Sequence, residues 1–279
     1  MIELLGKLSN YLGLPSVASD HALKIDYMNG WVHWLMLILF LGWGIFFIFT
    51  IIRFRAKSNP VADYEGVKSN YSKYAEIGVI GFEAFLLIAF AYPIWASLKT
   101  NVPEVTNEMV QVRVIAQQFA WNIHYPGNDG KFGPTKPELV DEETNPVGLD
   151  RSSPAGADDI VTINQLHLPV NKMAMIYLTS KDVIHNFALP EMRVKQDAIP
   201  GMSIPIFFTP NKTSKDFLTE ISGSPRDGMG YEIACAQLCG NSHYRMKGYL
   251  TVETQEEFDE FLAEEAEYLD DDSDEDDEW

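Results

Sequence analysis

The chain of 279 residues is long enough for one or two domains, and its hydrophobic content of 46% suits a globular chain with membrane segments added. Its formal net charge of -19 disfavours nucleic acid as a partner. Residues 253–279 contain 16 acidic and no basic side chains, so the rest of the chain carries a net charge of only -3. The acidity therefore belongs to one tail.

Residues 1–30 are predicted to be an external N-terminal segment. The stretch MIELLGKLSNYLGLPSV is amphipathic and is interrupted by Gly13 and Pro15. A secretory signal needs a positive start and a continuous apolar core, whereas the first charged residue here is Glu3. We interpret the segment as retained, and the alternative is a cleaved signal that ends near Ser19.

Two apolar runs predict a transmembrane helical hairpin within residues 31–99. Residues 31–52 carry no charge, and residues 77–98 carry only Glu83, so each run is long enough to cross a bilayer. The short link between them is rich in basic side chains, which places it in the cytoplasm. These side chains are Arg53, Arg55, Lys57, Lys68 and Lys73. Both termini and the rest of the chain then lie outside.

Residues 100–253 contain short segments rich in Val, Ile, Tyr and Phe between Pro, Gly and Asn, which predict strands of a β-sandwich or barrel. Residues 126–158 and 211–230 are interpreted as surface loops. The chain has no Cys-x-x-Cys-His motif for covalent haem, so its electrons would come from a separate donor. Residues 254–279 are predicted to be disordered, because a block of like charges with few apolar residues buries too little surface. They act either as a solvating tail or as an anionic segment that attracts a basic electron donor.

The stretch YEIACAQLCGNSHYRM, residues 231–246, holds both cysteines of the chain together with a histidine and a methionine. Soft sulfur combined with imidazole suits copper. A disulfide between Cys235 and Cys239 and part of a zinc site are alternatives. Zinc normally takes four Cys or His ligands and this loop offers three, while a blue-copper site uses one Cys. The remaining candidate is a site in which two thiolates bridge two copper ions.

The loop resembles the dinuclear CuA motif of cytochrome c oxidase subunit II in the order and spacing of Cys, Cys, His and Met. DVIHNFALPEMRVKQDAIPG at 182–201 resembles the family segment that supplies the other histidine, with His185 in that place. LHLPV at 166–170 and QQFAW at 117–121 resemble two further family segments, and the resemblance covers about residues 25–253. It implies two N-terminal transmembrane helices followed by an all-β, cupredoxin-like Greek-key barrel.

The resemblance also implies which residues bind copper. Two thiolates would bridge the metals, each metal would bind one imidazole, and a thioether and a backbone carbonyl would be weaker ligands. In that order the residues are Cys235, Cys239, His185, His243, Met246 and Gln237. Two metals bridged in this way share one electron with little change in bond length, which favours fast transfer. His167 and His124 lack this context and are interpreted as structural.

Three positions concern neighbouring functions. Gln237 replaces a family glutamate whose carboxylate reaches a magnesium ion at the boundary with subunit I. A neutral amide is a poorer ligand than a carboxylate for a hard dication. The magnesium site is therefore doubtful in this chain. Phe119 replaces a family tryptophan that receives the electron from cytochrome c, and Trp121 is retained; both rings alternatively pack in the barrel. Glu76 takes the place of a family glutamate at the mouth of a proton pathway, and Glu83 shares its helix face.

The implied function is that of subunit II of a haem-copper cytochrome c oxidase in a bacterial inner membrane, with the copper domain on the periplasmic side. It accepts electrons from cytochrome c, or from a haem-bearing subunit of a quinol-oxidising complex. It passes them to haem in subunit I, where oxygen is reduced and protons are pumped. Two alternatives are a copper-free structural subunit II of a quinol oxidase and a membrane-anchored copper chaperone or thiol oxidoreductase. The intact ligand set argues against the first, and the lack of a βαβ pattern argues against the second.

Overall fold

The computed structural model describes residues 13–61, 64–65 and 68–275, with side chains as far as residue 268. The first residues of the predicted amphipathic segment, 1–12, lie outside the described residues. The chain divides into two compact units. A helical unit contains Leu23–Asn101, and a β unit contains Pro15–Ala22 and the chain from Val102 onward.

The helical unit confirms the two predicted apolar helices. Helix α1 spans Ala22–Arg53 and begins inside the predicted external segment. Helix α2 spans Tyr71–Leu86 and continues through a π turn, Leu87–Ala91, into α3, Tyr92–Lys99. Pro93 near the start of α3 has no N–H to donate, and the π turn lies directly before it. Both helical runs are long and apolar enough to span a membrane.

The β unit consists of two five-stranded sheets that face each other, which confirms the predicted all-β, cupredoxin-like fold. The strands are β1 Val110–Gln117, β2 Ala120–Tyr125, β3 Ile160–Ile163, β4 Gln165–Pro169, β5 Ala174–Ser180, β6 His185–Leu189, β7 Val194–Ala198, β8 Ile204–Phe208, β9 Tyr231–Cys235 and β10 Lys247–Glu253. Sheet 1 has the order β3-β2-β1-β5-β8, and sheet 2 has the order β4-β10-β9-β6-β7. The β1–β5 and β4–β10 pairs are parallel, and the other ladders are antiparallel.

The core lies between the two sheets and follows the period of two that a strand imposes on its side chains. Along β1, Val112, Val114 and Ala116 are fully buried, whereas Arg113 between them faces outward and is only partly buried. Trp121 from β2 contributes the largest buried ring. This alternation is the reason that the short segments could be predicted as strands.

The predicted surface loops have more structure than their composition indicated. Residues 126–158 form no long strand, but Val147 and Leu149 pack on Ile115 on the outer face of sheet 1. In the second stretch, residues 211–230, helix α4 spans Ser214–Ile221 and is capped by Thr213, whose side chain accepts a hydrogen bond from the N–H of Asp216. The apolar face of α4 buries Phe217.

The N-terminal strap, Pro15–Ala22, is an integral part of the β unit. The Ala18 N–H donates to the Glu191 carbonyl, and the Asn211 N–H donates to the Ala18 carbonyl, both at 3.0 Å. Ala18 and Ser19 are fully buried. A cleavage near Ser19 would therefore remove residues that pair with the barrel.

The described part of the acidic tail is a helix where disorder was predicted. Helix α5 spans Gln255–Glu275. Phe258 is buried, and the ring of Phe261 stacks on His167 with 3.7 Å between ring centroids. The spacing of Phe258, Phe261 and Leu262 places these apolar residues on one helix face, so a composition count missed an amphipathic helix.

We expect Phe258→Ala to lower the free energy of unfolding of the β unit by about 3 kcal/mol, because it leaves a cavity under α5. The measurement is denaturant unfolding of the full-length chain in detergent, monitored by the change in tryptophan fluorescence when the buried Trp121 becomes exposed. Glu256→Ala on the exposed face of α5 is the control and should have little effect. Equal stability of Phe258→Ala and the unmodified chain would show that α5 is not docked on the barrel.

Candidate metal centre

The candidate centre forms where three strands of sheet 2 meet at one end of the β unit. His185 is the first residue of β6 and Cys235 is the last residue of β9. The two strands pair antiparallel with Phe187 opposite Cys235. The chain then makes the metal loop, residues 236–246, and returns as β10, where Lys247 pairs with Ala234. Strand pairing therefore brings the histidine, fifty residues earlier in the sequence, to the cysteines.

All six residues that the family resemblance assigns to copper converge at this end. The two Sγ atoms of Cys235 and Cys239 are 3.8 Å apart, and both cysteines are free thiols. Each thiol has one imidazole beside it. The Nδ1 atom of His185 is 3.9 Å from Cys235 Sγ, and the Nδ1 atom of His243 is 3.5 Å from Cys239 Sγ. The donor atoms of His185 and both cysteines lie within 4.8 Å of one another.

The two weaker candidate ligands complete the cluster. The Met246 Sδ is 3.8 Å from Cys239 Sγ. The Gln237 carbonyl oxygen is 3.2 Å from Cys235 Sγ, so the main chain and not the amide side chain faces the thiol. A role of this residue through its carbonyl oxygen would not depend on whether the side chain at position 237 is an amide or a carboxylate.

Local geometry determines the shape of the metal loop. A 3₁₀ turn over His243–Arg245 presents His243 and Met246 to the same side, because residues three apart eclipse each other in such a turn. Gly240 has a φ of +138°, and a Cβ there would lie 2.7 Å from the Gln118 Nε2 and 3.0 Å from a ring carbon of Phe119. The loop therefore needs glycine at position 240 for both backbone and space.

Asp182 orients His185. Its Oδ1 accepts a hydrogen bond from the His185 Nε2 at 2.8 Å, which leaves Nδ1 directed at Cys235. The Oδ2 atom of Asp182 accepts from the Gln118 N–H at 2.7 Å. The fixed tautomer is the one in which His185 can bind a metal through Nδ1.

Three of the six candidate ligands are buried, whereas Cys235 and His243 are partly exposed and Gln237 is exposed. His185 is fully buried, Met246 is 1% exposed and Cys239 is 5% exposed. The buried indole of Trp121 packs edge-on against His185 with 6.3 Å between ring centroids. Electrostatic interactions are stronger on this buried side of the site than they would be in water.

The two thiols have different acidities in this environment. Burial raises the pKa of the Cys235 thiol, but the hydrogen bonds from the His185 ring and the backbone outweigh it and lower the pKa to about 6. At Cys239, burial and the adjacent Cys235 raise the pKa to about 11. Burial lowers the pKa of His185, but its interactions with Cys235 and Asp182 outweigh this and leave the pKa raised. Cys235 is therefore the more acidic of the two thiols, and a metal that binds here would displace protons from the site.

The donor set fits copper better than zinc. Two thiols, two imidazoles and a thioether sulfur face a common space, and a thioether is a copper ligand but not a usual zinc ligand. The carboxylate behind His185 is the partner that metal-binding histidines usually have.

The other predicted site residues have different positions. Phe119 is partly buried and packs near Gly240, whereas Trp121 is fully buried. The Gln237 residue is exposed. Glu76 and Glu83 are exposed on α2 in the helical unit.

The two histidines that were interpreted as structural, His124 and His167, each lie beside a carboxylate. His124 is fully buried and lies 2.5 Å from the Asp159 carboxylate, and His167 lies 3.0 Å from Glu253. Sequence reasoning did not identify Asp182 and Gln118 as supports of the centre. Asp182 was visible three residues before His185, but nothing local to Gln118 marks it.

Comparisons with known proteins find similar chains of one family. A family model described as cytochrome c oxidase subunit II, periplasmic domain, matches residues 110–253. The alternative cytochrome c oxidase subunit 2 of Bradyrhizobium diazoefficiens is 29% identical over 230 residues, which cover 82% of this chain and 76% of that protein. The cytochrome c oxidase subunit 2 of Cereibacter sphaeroides is 24% identical over 269 residues, which cover 90% and 78%. A crystal structure of the periplasmic domain of subunit II of cytochrome oxidase from Bradyrhizobium japonicum is 27% identical, covers 60% of this chain and 99% of that one, and has a TM-score of 0.40.

We expect Asp182→Asn to weaken copper binding about 10- to 100-fold, because it removes the negative charge that holds His185 in its metal-binding tautomer. The measurement is competition for copper against a chelator of known affinity, with the full-length chain in detergent. Glu138→Gln, an exposed carboxylate in residues 126–158, is the matched control. Unchanged affinity in Asp182→Asn would mean that the carboxylate does not support the ligand.

Proposed function

The chain belongs to the cytochrome c oxidase subunit II family, and from this premise we propose that it is the copper-bearing subunit that receives electrons in a haem-copper oxidase. The observation that carries the proposal is the convergence of two thiols, two imidazoles, a thioether and a carbonyl at one end of the β unit. Copper bound between the two thiols would supply one-electron transfer with little change in bond lengths.

The protein groups around the site hold the metal, orient its ligands and limit the access of water. Cys235 and Cys239 would hold the copper through their sulfur atoms, and Asp182 keeps the Nδ1 atom of His185 directed at the same space. Burial of Met246 and Cys239 excludes water, so few solvent molecules have to reorient when charge arrives. A site that is already assembled lowers the cost of each transfer.

Two features support a protein donor. Leu238 and Tyr244, each beside a ligand of the metal loop, are 76% and 75% exposed and offer an apolar contact surface. Trp121 is fully buried, so of the two predicted aromatic candidates only the partly exposed Phe119 can touch a donor. The exposed face of α5 is acidic and suits a basic donor such as cytochrome c, or a basic haem-bearing subunit of a quinol-oxidising complex. Its exposed acidic residues include Glu256, Asp259, Glu260, Glu264 and Glu267.

The path of the chain supports a two-span topology. The chain leaves the β unit at Ala22, runs through two apolar helices and returns at Val102. Two crossings put the strap and the barrel on the same side of the membrane. The basic link, residues 53–73, would be cytoplasmic, which places the β unit in the periplasm of a bacterium.

Oxygen reduction is assigned to subunit I. The sequence contains six histidines, and among them only His33 lies within an apolar helix, which is too few to bind haem and a further copper in the membrane. The chain would therefore pass electrons to the haem in subunit I, and its apolar helices would dock against that subunit within the membrane. Glu76 on α2 is proposed to line the proton pathway into that subunit.

The two alternatives, a copper-free quinol oxidase subunit and a membrane-anchored copper chaperone or thiol oxidoreductase, fit the structure less well. A copper-free quinol oxidase subunit does not need the six assembled donor groups. A thiol oxidoreductase of the thioredoxin type carries its cysteines in a βαβ unit. In the described chain, Cys235 and Cys239 lie between the antiparallel strands β9 and β10.

We expect Cys239→Ser to abolish a dinuclear copper signal in electron paramagnetic resonance and to stop turnover with cytochrome c in the assembled oxidase. The barrel should still fold, because most core residues belong to the strands and serine is close to cysteine in size. Ser242→Ala in the same loop serves as the control and should retain both signal and turnover. Full copper content and normal turnover in Cys239→Ser would contradict the assignment of Cys239 as a ligand of a dinuclear copper site.

The topology is tested with inserted protease sites. A site between Ser58 and Asn59 in the link should resist protease added to intact spheroplasts, because the link is cytoplasmic. A site between Asp129 and Gly130, in an exposed turn of the β unit, should be cut. The measurement is the fragment pattern on an immunoblot, with lysed cells as the control. Cleavage of the link in intact spheroplasts would reverse the proposed orientation.

A further inference from the structure

Gln118 connects both halves of the candidate centre. Its side-chain Nε2 donates to the Cys239 carbonyl at 2.5 Å. Its backbone N–H donates to the Asp182 Oδ2 at 2.7 Å, and the Oδ1 of the same carboxylate accepts from His185. Gln118 is thereby hydrogen bonded to Cys239 in the metal loop through its side chain, and to Asp182, which holds His185, through its main chain.

We propose that Gln118 is a positioning residue that sets the placement of the Cys239 thiol relative to His185, and so tunes the electronic structure and potential of the copper centre. The inference rests on the proposed function. Gln118 acts through Asp182 and through the Cys239 carbonyl, and it is not itself a ligand.

The position of Gln118 in the fold makes it suitable for this role. Gln118 and Phe119 form the two-residue connection between β1 and β2, where Gln117 pairs with Ala120. Those strands belong to sheet 1, whereas His185 and Cys235 belong to strands of sheet 2. The tight turn of one sheet therefore braces the metal loop of the other, and its rigidity comes from a hydrogen-bonded ladder rather than from the loop itself.

The chemistry requires an amide. The acceptor is a backbone carbonyl, to which an N–H can donate and a carboxylate cannot. Among the described residues, no backbone N–H is hydrogen bonded to the Cys239 carbonyl, so the Gln118 amide satisfies it. The close approach also depends on Gly240, since a Cβ there would meet the Gln118 Nε2 at 2.7 Å. The glycine and the glutamine form one packing arrangement.

The adjacent residue provides a matched control. Gln117 has the same side chain, but its amide donates to Glu142 at 2.9 Å and its carbonyl oxygen accepts from Lys181 at 2.7 Å. These partners are not ligands of the centre. Gln117→Leu therefore removes an amide of the same size from the same turn region without touching the metal loop.

The experiment uses the full-length chain in the assembled oxidase. Gln118→Leu removes the donor at nearly constant size, and Gln118→Glu replaces the donor with an acceptor at constant size. Both should retain a dinuclear copper signal with altered hyperfine splitting, a shifted reduction potential and copper loss to a chelator about 10- to 100-fold faster. Gln117→Leu should match the unmodified protein in all three measurements.

The outcomes separate this inference from the proposed function. If the unmodified protein gives no dinuclear signal, the proposed function fails. If it gives the signal but Gln118→Leu has the same spectrum, potential and copper retention, only the positioning role fails. Equal changes in Gln117→Leu and Gln118→Leu would also overturn it, since they would reflect general loosening of the turn. If Gln118→Leu does not accumulate, Gln118→Glu is judged by the same criteria.

Discussion

The antiparallel pairing of β6 with β9 is the constraint on which the centre depends. It places Phe187 opposite Cys235 and so brings His185 within 3.9 Å of a thiol that lies fifty residues later. Without this register, the loop after β9 would still offer two cysteines, a histidine and a methionine, but a second imidazole would be missing. A shift of one residue would also turn His185 to the other face of its sheet, because side chains alternate along a strand.

Placing these groups in a dry site has an electrostatic cost that the neighbouring groups offset. Two thiols 3.8 Å apart cannot both ionise easily, and contacts with His185 and the backbone lower the pKa of Cys235, whereas burial and the adjacent Cys235 raise the pKa of Cys239. Asp182 accepts a hydrogen bond from the other nitrogen of the His185 ring. Metal ions that bind here would displace the protons of the thiols. Asp182 and His185, which interact with each other and with Cys235, are therefore also the residues that prepare the site for a metal.

Elements outside the two sheets protect the scaffold. Strands β3 and β4 are edges of their sheets, and α5 packs against both, which covers hydrogen-bonding groups that would otherwise invite other chains. The strap at Pro15–Ala22 fills a position beside Pro210. On the outer face of sheet 1, residues 126–158 bury Asp159, which accepts hydrogen bonds from the N–H groups of Gly127 and Gly133. The centre therefore stands on a barrel whose edges are largely covered.

Sequence alone determined whatever depends on neighbours along the chain. The apolar runs revealed the two helices, the alternating segments revealed the strands, and the short spacing from Cys235 to Met246 revealed the metal loop. His185 was found only through its resemblance to a family segment, because no local rule ties it to the cysteines. Only the tertiary structure shows the hydrogen bonds of Gln118 and the packing of α5 on the barrel. A hydrogen bond between sheets and the burial of Phe258 depend on which distant surfaces meet, and composition and local spacing carry no record of that.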